Sequence, residues 1–245
     1  MIGGLRVRSY GAGGPLALVL HGGPAATGHA APIAQELADT FRVLEPFQRG
    51  NSGDPLSVST HIADLRDMIA ARTGGEQPVL IGESWGAMLA LAYAAAHPET
   101  VGPIALIGCG TFDVVARAKL AATLEARLAC GENLYDFAPL ETTAQSIDDS
   151  FDKAAHLQTW EDMMRLQREG VYPAAFAAIT SPVLMLHGSY DPHPGKMIRD
   201  SLVPYLPEFE YREFERCGHS PWIERFARED FFATLRSWLS KFCHT

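Results

Sequence analysis

The chain has 245 residues, enough for one domain with a substantial core. Its 47% hydrophobic and 20% charged content excludes a disordered chain, a coiled coil and a collagen-like fibre. Twenty Lys plus Arg against 29 Asp plus Glu give a formal charge of −9, which phosphate backbones and anionic lipid repel. Neither nucleic acid nor a membrane is therefore an expected partner. The apolar stretch Ala87 to Ala96 is far short of the roughly twenty residues of a bilayer span, and Met1 to Arg6 holds no apolar run with a cleavage site. Cys109, Cys130, Cys217 and Cys243 are scattered without a C-x-x-C pair, which reads as reduced thiols in a cytoplasmic protein.

Short apolar runs and helical patterns alternate through the first half. Leu16–Leu20 is continuously apolar, as a strand covered on both faces should be. His29 to Phe41 places Ile33, Leu37 and Phe41 on one helix face, and Arg42–Leu44 restarts a strand. Thr60 to Arg72 reads as a helix, Pro78–Ile81 as a buried strand, Trp85 to His97 as an Ala-rich helix, and Ile104–Ile107 as the next strand. From about Asp113 to Ala178 only helical patterns occur, over Val114–Ala129 and Asp149–Arg168. Alternation then resumes with Val183–Leu186, a helix near Lys196–Leu206, Phe209–Phe214 and a last helix from about Pro221 to Phe242. Such alternation predicts an α/β fold with a mostly parallel, doubly wound sheet. Residues 1–112 and 179–245 would form its core, with 113–178 inserted as a short helical cap. No repeat, low-complexity tract or flexible linker interrupts this plan.

Gly82-Glu83-Ser84-Trp85-Gly86 lies between a predicted buried strand and a helix, the context a G-x-S-x-G nucleophile elbow requires. Small flanking residues let the chain reverse sharply while Ser84 points out of the sheet, and the helix N-terminus behind it offers backbone N–H groups to an oxyanion. Leu20-His21-Gly22-Gly23-Pro24 follows the first central strand. The Gly23 N–H is the expected second oxyanion donor beside that of Trp85, the bland reading being an ordinary tight turn. His21 reads as structural, a buried imidazole bonded to backbone.

A nucleophilic serine needs a base, and the base an orienting carboxylate. His219 follows the last predicted strand, on a loop at the sheet edge where Ser84 emerges, and is preferred to His97, His187 and His193. Asp191, after the preceding strand, is the expected acid, with Asp113 as the rival. The chain order is then Ser84, Asp191, His219.

These four elements, in this order and spacing, resemble the α/β-hydrolase superfamily, and within it the prolyl iminopeptidase branch. The branch likeness rests on His21–Pro24, Gln48-Arg49-Gly50-Asn51-Ser52-Gly53 and Ser84-Trp85-Gly86. The abbreviated start before Pro15 implies seven strands where the superfamily usually has eight. Ala25 and Glu83 stand where that branch usually has glycine, and the insertion is shorter than its cap. Glu125, Glu132, Glu161, Asp162 and Glu169 read as a solvated helix face, not as acids holding a substrate amine. Glu83 either meets the substrate or tunes His219, or else turns away onto backbone or Arg49.

The expected activity is acyl transfer to water: a serine hydrolase cleaving an ester or amide of a small molecule. An iminopeptidase-like aminopeptidase is the first alternative, and a ligand receptor with little turnover on the same fold is the second. Trp160, Tyr172 and Phe176, with Phe151, are aromatic candidates for the pocket. No metal or organic cofactor is expected, because H-E-x-x-H, Walker and dinucleotide patterns are missing. The oligomeric state is not legible.

Overall fold

The computed structural model describes residues 5–24, 26–50, 55–140 and 151–242. Ala25, the Asn51-Ser52-Gly53 part of the second loop motif and Cys243 lie outside the described residues.

The seven strands are β1 (Arg6–Tyr10), β2 (Leu16–Leu20), β3 (Arg42–Phe47), β4 (Val79–Glu83), β5 (Ile104–Ile107), β6 (Val183–Gly188) and β7 (Phe209–Phe214), and they form one sheet. Its order is β1-β3-β2-β4-β5-β6-β7, with β1 antiparallel to β3 and every other pair parallel. The helices are α1 (Ala31–Leu37), α2 (Val58–Arg72), α3 (Trp85–Ala96), α4 (Val114–Cys130), α5 (Lys153–Arg168), α6 (Gly195–Leu202) and α7 (Arg228–Ser240). Two apolar layers result. One packs α2 and α3 with the Leu18, Leu80 and Leu106 face; the other packs α1 and α7 against Val19, Ile81 and Ile107. The central strands β2, β4, β5 and β6 are buried along their whole length, which is why they read as unbroken apolar runs.

Helices α1 and α6 stop at Leu37 and Leu202, short of their expected ends, and three further boundaries differ for reasons the structure shows. Strand β3 continues past Leu44 through Glu45 and Pro46, because the buried Glu45 carboxylate is held by Arg8 (3.0 Å) and Tyr10 (2.8 Å) from β1. A partnered acid inside a sheet leaves no apolar signature. Helix α5 starts at Lys153, where Asp152 accepts the Ala155 N–H (3.0 Å) as N-cap. The last helix is two pieces, a 3-10 turn at Pro221–Ile223 and then α7, with Glu224 extended between them.

Helices α4 and α5 lie in the chain between β5 and β6, as the alternation requires. No helix among the described residues is long and apolar enough to cross a membrane.

Candidate active site

At the end of β4 the chain reverses into α3 through Ser84, whose backbone lies at φ 54°, ψ −116°. This conformation is strained for a residue with a Cβ and is held by the surroundings. The Ser84 N–H donates to Ile107 O (2.8 Å) on β5. A Cβ on Gly82 would meet the Gly86 carbonyl, and one on Gly86 would meet the Leu20 carbonyl, so neither position accepts a side chain. Trp85 opens α3, where N–H groups lack intrahelical acceptors, and its buried indole donates to Gln48 Oε1 (2.7 Å).

The turn after β2 is fixed from beneath. Gln48 N–H donates to His21 Nε2 (3.1 Å), so His21 carries its proton on Nδ1 and donates to Gly22 O (3.0 Å). Burial lowers its pKa further, and a neutral, structural imidazole results. Gly22 N–H is taken by Glu83 Oε1 (2.5 Å), while Gly23, at φ 31°, lies on the cavity wall.

Loops following β6 and β7 bring acid and base together. Tyr190 N–H donates to Cys217 O (2.8 Å), tying the two loops, and His219 Nδ1 donates to Asp191 Oδ2 (2.8 Å). The proton on Nδ1 leaves Nε2 as the acceptor a base needs. Asp191 is buried; burial opposes its charge, but His219, His187 and His193 around it hold the carboxyl well below the usual range. Burial likewise opposes a charged His219, yet the Asp191 carboxylate, its hydrogen bond, and Glu83 and Asp136 outweigh this and raise its pKa to about 9.

Ser84, Gly23, Glu83 and His219 line one cavity of about 640 Å³, together with Trp160 from α5. Tyr172 and Phe176 do not: they stack on each other (5.1 Å) in the core beneath, where Phe176 also meets Phe112. The structure thus places neither of these two pocket candidates on the wall of this cavity. Phe151 is exposed against His156 and is not part of the lining. Asp113 caps α4 by accepting the Ala116 N–H (2.8 Å). His97 caps α3 against Tyr93, and buried His187 donates to His193 O (2.9 Å). Glu83 is not turned away from the cavity. It faces the cavity and is bonded to backbone and to His29 Nδ1 (3.2 Å), whereas Arg49 pairs with Asp64. Burial opposes the Glu83 charge, but His29 and Gly22 N–H lower its pKa; the same contact raises that of His29.

Of the further lining residues, Trp160 was expected from the sequence and His193 was weighed there only as a rival base, while the others carried no sequence signal. His193 takes Asp191 Oδ1 with both Nδ1 (2.8 Å) and backbone N–H (2.9 Å) and stacks on His219 at 4.8 Å. Tyr135 O accepts the His219 N–H (3.0 Å), and Asp136 accepts the Ser220 N–H (3.1 Å). From α4 come Arg117 and Leu120, and from α5 His156, Trp160 and Met164 at helical spacing. Among the described residues, Asp191, His193 and His219 are the one group with donor atoms close enough to hold a metal ion, and each is already hydrogen-bonded within the group.

A mostly parallel sheet with a strained serine at a strand–helix turn and a His–Asp pair on neighbouring loops defines the α/β-hydrolase fold class. The model of the Alpha/beta hydrolase family matches residues 17–234, and the chain belongs to that family. It is 26% identical to a 2-hydroxy-6-oxononadienedioate/2-hydroxy-6-oxononatrienedioate hydrolase of Cupriavidus pinatubonensis, covering 85% of this chain and 82% of the relative. It is 23% identical to a proline iminopeptidase of Lactobacillus helveticus, over 93% of this chain and 90% of that one. Among solved structures, a thermophilic esterase from Thermogutta terrifontis superposes with a TM-score of 0.71 at 20% identity, over 98% and 94% of the two chains.

Proposed function

We propose that the protein is a serine hydrolase that cleaves an ester of a small molecule through an acyl-enzyme. The observation that carries this reading is the shared cavity: Ser84, in its strained turn, and His219, hydrogen-bonded to Asp191, face the same 640 Å³ space. His219 Nε2 takes the Ser84 proton as Oγ attacks the carbonyl, and Asp191 holds the imidazole and stabilises its charge. The N–H groups of Gly23 and Trp85 receive the oxyanion. His219 then protonates the departing alcohol. Water, activated by the same imidazole, releases the acid, so ester plus water gives acid plus alcohol. The chemistry needs no metal or organic cofactor.

Residues 113–178 act in this reading as a cap that shapes the substrate space, since α4 and α5 supply part of its wall. Relatives named for a dioate, for proline and as an esterase share the fold, so substrate choice rests with those wall residues.

The test is a parallel screen of p-nitrophenyl esters of increasing acyl length and aminoacyl-naphthylamides, including the prolyl one. Multiple turnovers on esters are expected, with Ser84→Ala and His219→Ala each losing on the order of a millionfold in kcat. Stoichiometric fluorophosphonate labelling of Ser84 with no turnover would make the protein a receptor. Fast prolyl-amide cleavage with negligible ester turnover would make it an aminopeptidase.

A further inference from the structure

The cavity contains ionisable groups of both signs, and most are satisfied internally. Glu83 is held by Gly22 N–H and His29, and Asp136 by Ser220 N–H. His219 and His193 both donate to Asp191. His156 is kept neutral by burial. Arg117 is different. It projects from α4, half-buried, and among the described residues its guanidinium makes no ion pair with a carboxylate. Its side-chain partner is the neutral Gln167 Oε1, contacted through Nη2, and Gln167 is itself anchored by donating to Thr111 O (3.0 Å). Eight arginines outside the cavity, Arg8, Arg42, Arg49, Arg165, Arg199, Arg212, Arg228 and Arg236, do pair with Asp or Glu, whereas Arg127, also outside it, is satisfied by the Leu134 and Tyr190 carbonyl oxygens.

We propose that Arg117 binds a free carboxylate of the substrate, so that the esters hydrolysed are half-esters of dicarboxylic acids or esters carrying a carboxylate on the alcohol part. This rests on the serine-hydrolase reading and specifies its substrate class. A guanidinium presents five donors in a planar fork, and Gln167 uses one side of it. The unused donors match a carboxylate in bidentate geometry, which a lysine cannot reproduce. The half-buried position makes the match selective: burial lowers the Arg117 pKa, Asp113 offsets this only through space and without an ion pair, and a substrate carboxylate would compensate the charge where a neutral acyl chain would not. The rest of the wall near it, Leu120, Met164 and Trp160, is apolar and suits a hydrocarbon spacer between the two ends.

The experiment compares mono-p-nitrophenyl glutarate with p-nitrophenyl pentanoate, and phenyl pentanoate with its ring-carboxylated form, in wild type, Arg117→Gln, Arg117→Lys and Arg199→Gln. The wild type is expected to prefer one carboxylated member. Arg117→Gln should lower that kcat/KM ratio by about 10- to 100-fold, chiefly through KM. Arg117→Lys should recover part of the ratio, and Arg199→Gln should leave it unchanged. Equal losses on charged and neutral esters, no preference in wild type, or a ratio insensitive to Arg117 would each overturn the proposal. If wild type turns over none of these esters, the serine-hydrolase reading fails separately. Calorimetric binding of monomethyl glutarate then decides for Arg117: binding lost in Arg117→Gln supports the proposal, and equal binding overturns it.

Discussion

His219 is the residue on which pH dependence should turn. Its imidazolium faces Asp191 at 2.8 Å, with Glu83 and Asp136 adding negative potential, and its pKa is raised to about 9. In the proposed mechanism only the neutral ring accepts the Ser84 proton, so kcat/KM is expected to climb with pH through neutrality and level off above about 9. Asp191→Asn removes the main source of that shift and should move the midpoint down while lowering the plateau. Glu83→Gln keeps an acceptor for Gly22 N–H but removes a charge, so a smaller downward displacement is expected. A midpoint that stays fixed in both variants in a pH–rate series would contradict this electrostatic account. Linkage runs the opposite way for stability. A folded pKa above the ordinary 6.5 contributes fully below that value and is lost as pH rises through 9. Ser84, Asp191 and His219 were legible at this scale because each sits just beyond a strand end, where sheet topology collects residues. The hold of His193 on Asp191, and Tyr135 and Asp136, were not, since one neighbours a proline in a turn and the others follow a helix stop, with no motif to mark them.

Among the elements, the turn joining β4 to α3 is the most constrained. Its glycines are defined by backbone atoms of neighbouring elements, and backbone cannot give way as a flexible side chain can. Gly82→Ala should therefore cost about 1–3 kcal/mol of stability by overpacking, and should displace Ser84 as well. Urea unfolding would report the first effect, and a kcat loss in protein still fully folded the second. A normal midpoint in urea with unaltered activity would show that the elbow has room. The glycines were readable from the local pattern alone. The break before α7 was not, because its cause is tertiary. Glu224 is buried and its carboxylate accepts N–H groups from Gly218 (2.7 Å), Phe137 (2.6 Å) and Ala138 (2.7 Å). It joins the segment after α4 to the loop carrying His219, and Leu140 N–H donating to Ile223 O (2.7 Å) continues that join. A helical period running from Pro221 to Phe242 cannot reveal an acid recruited by a segment some 85 residues earlier in the chain.

For the molecule as a whole, the mostly parallel sheet followed from the alternation of strands and helices, while the attachment of the inserted helices to the sheet side depended on particular side chains. Asp162 read as a member of a solvated face, yet it and Gln158 both cap core backbone: Asp162 Oδ2 accepts the Val58 N–H (2.8 Å) and Gln158 Oε1 the Leu56 N–H (3.0 Å). Val58 is the first residue of α2, so an acid from α5 satisfies one of its unpaired N-terminal donors and complements the helix dipole. His61 and Thr159 extend the contact (3.1 Å). The same helix presents Trp160 and Met164 to the cavity, which makes this joint the element that sets the position of the wall relative to Ser84. Asp162→Ala should lower unfolding stability by roughly 1–2 kcal/mol, the scale of a lost charged cap. It should also raise KM more than it lowers kcat, because the wall shifts while the elbow and the His219–Asp191 pair stay in place. Glu161→Ala, on the exposed side of α5, is the matched control and should change neither quantity. A loss of stability in Asp162→Ala with KM unchanged would mean that the wall keeps its place through the segment held by Glu224 instead.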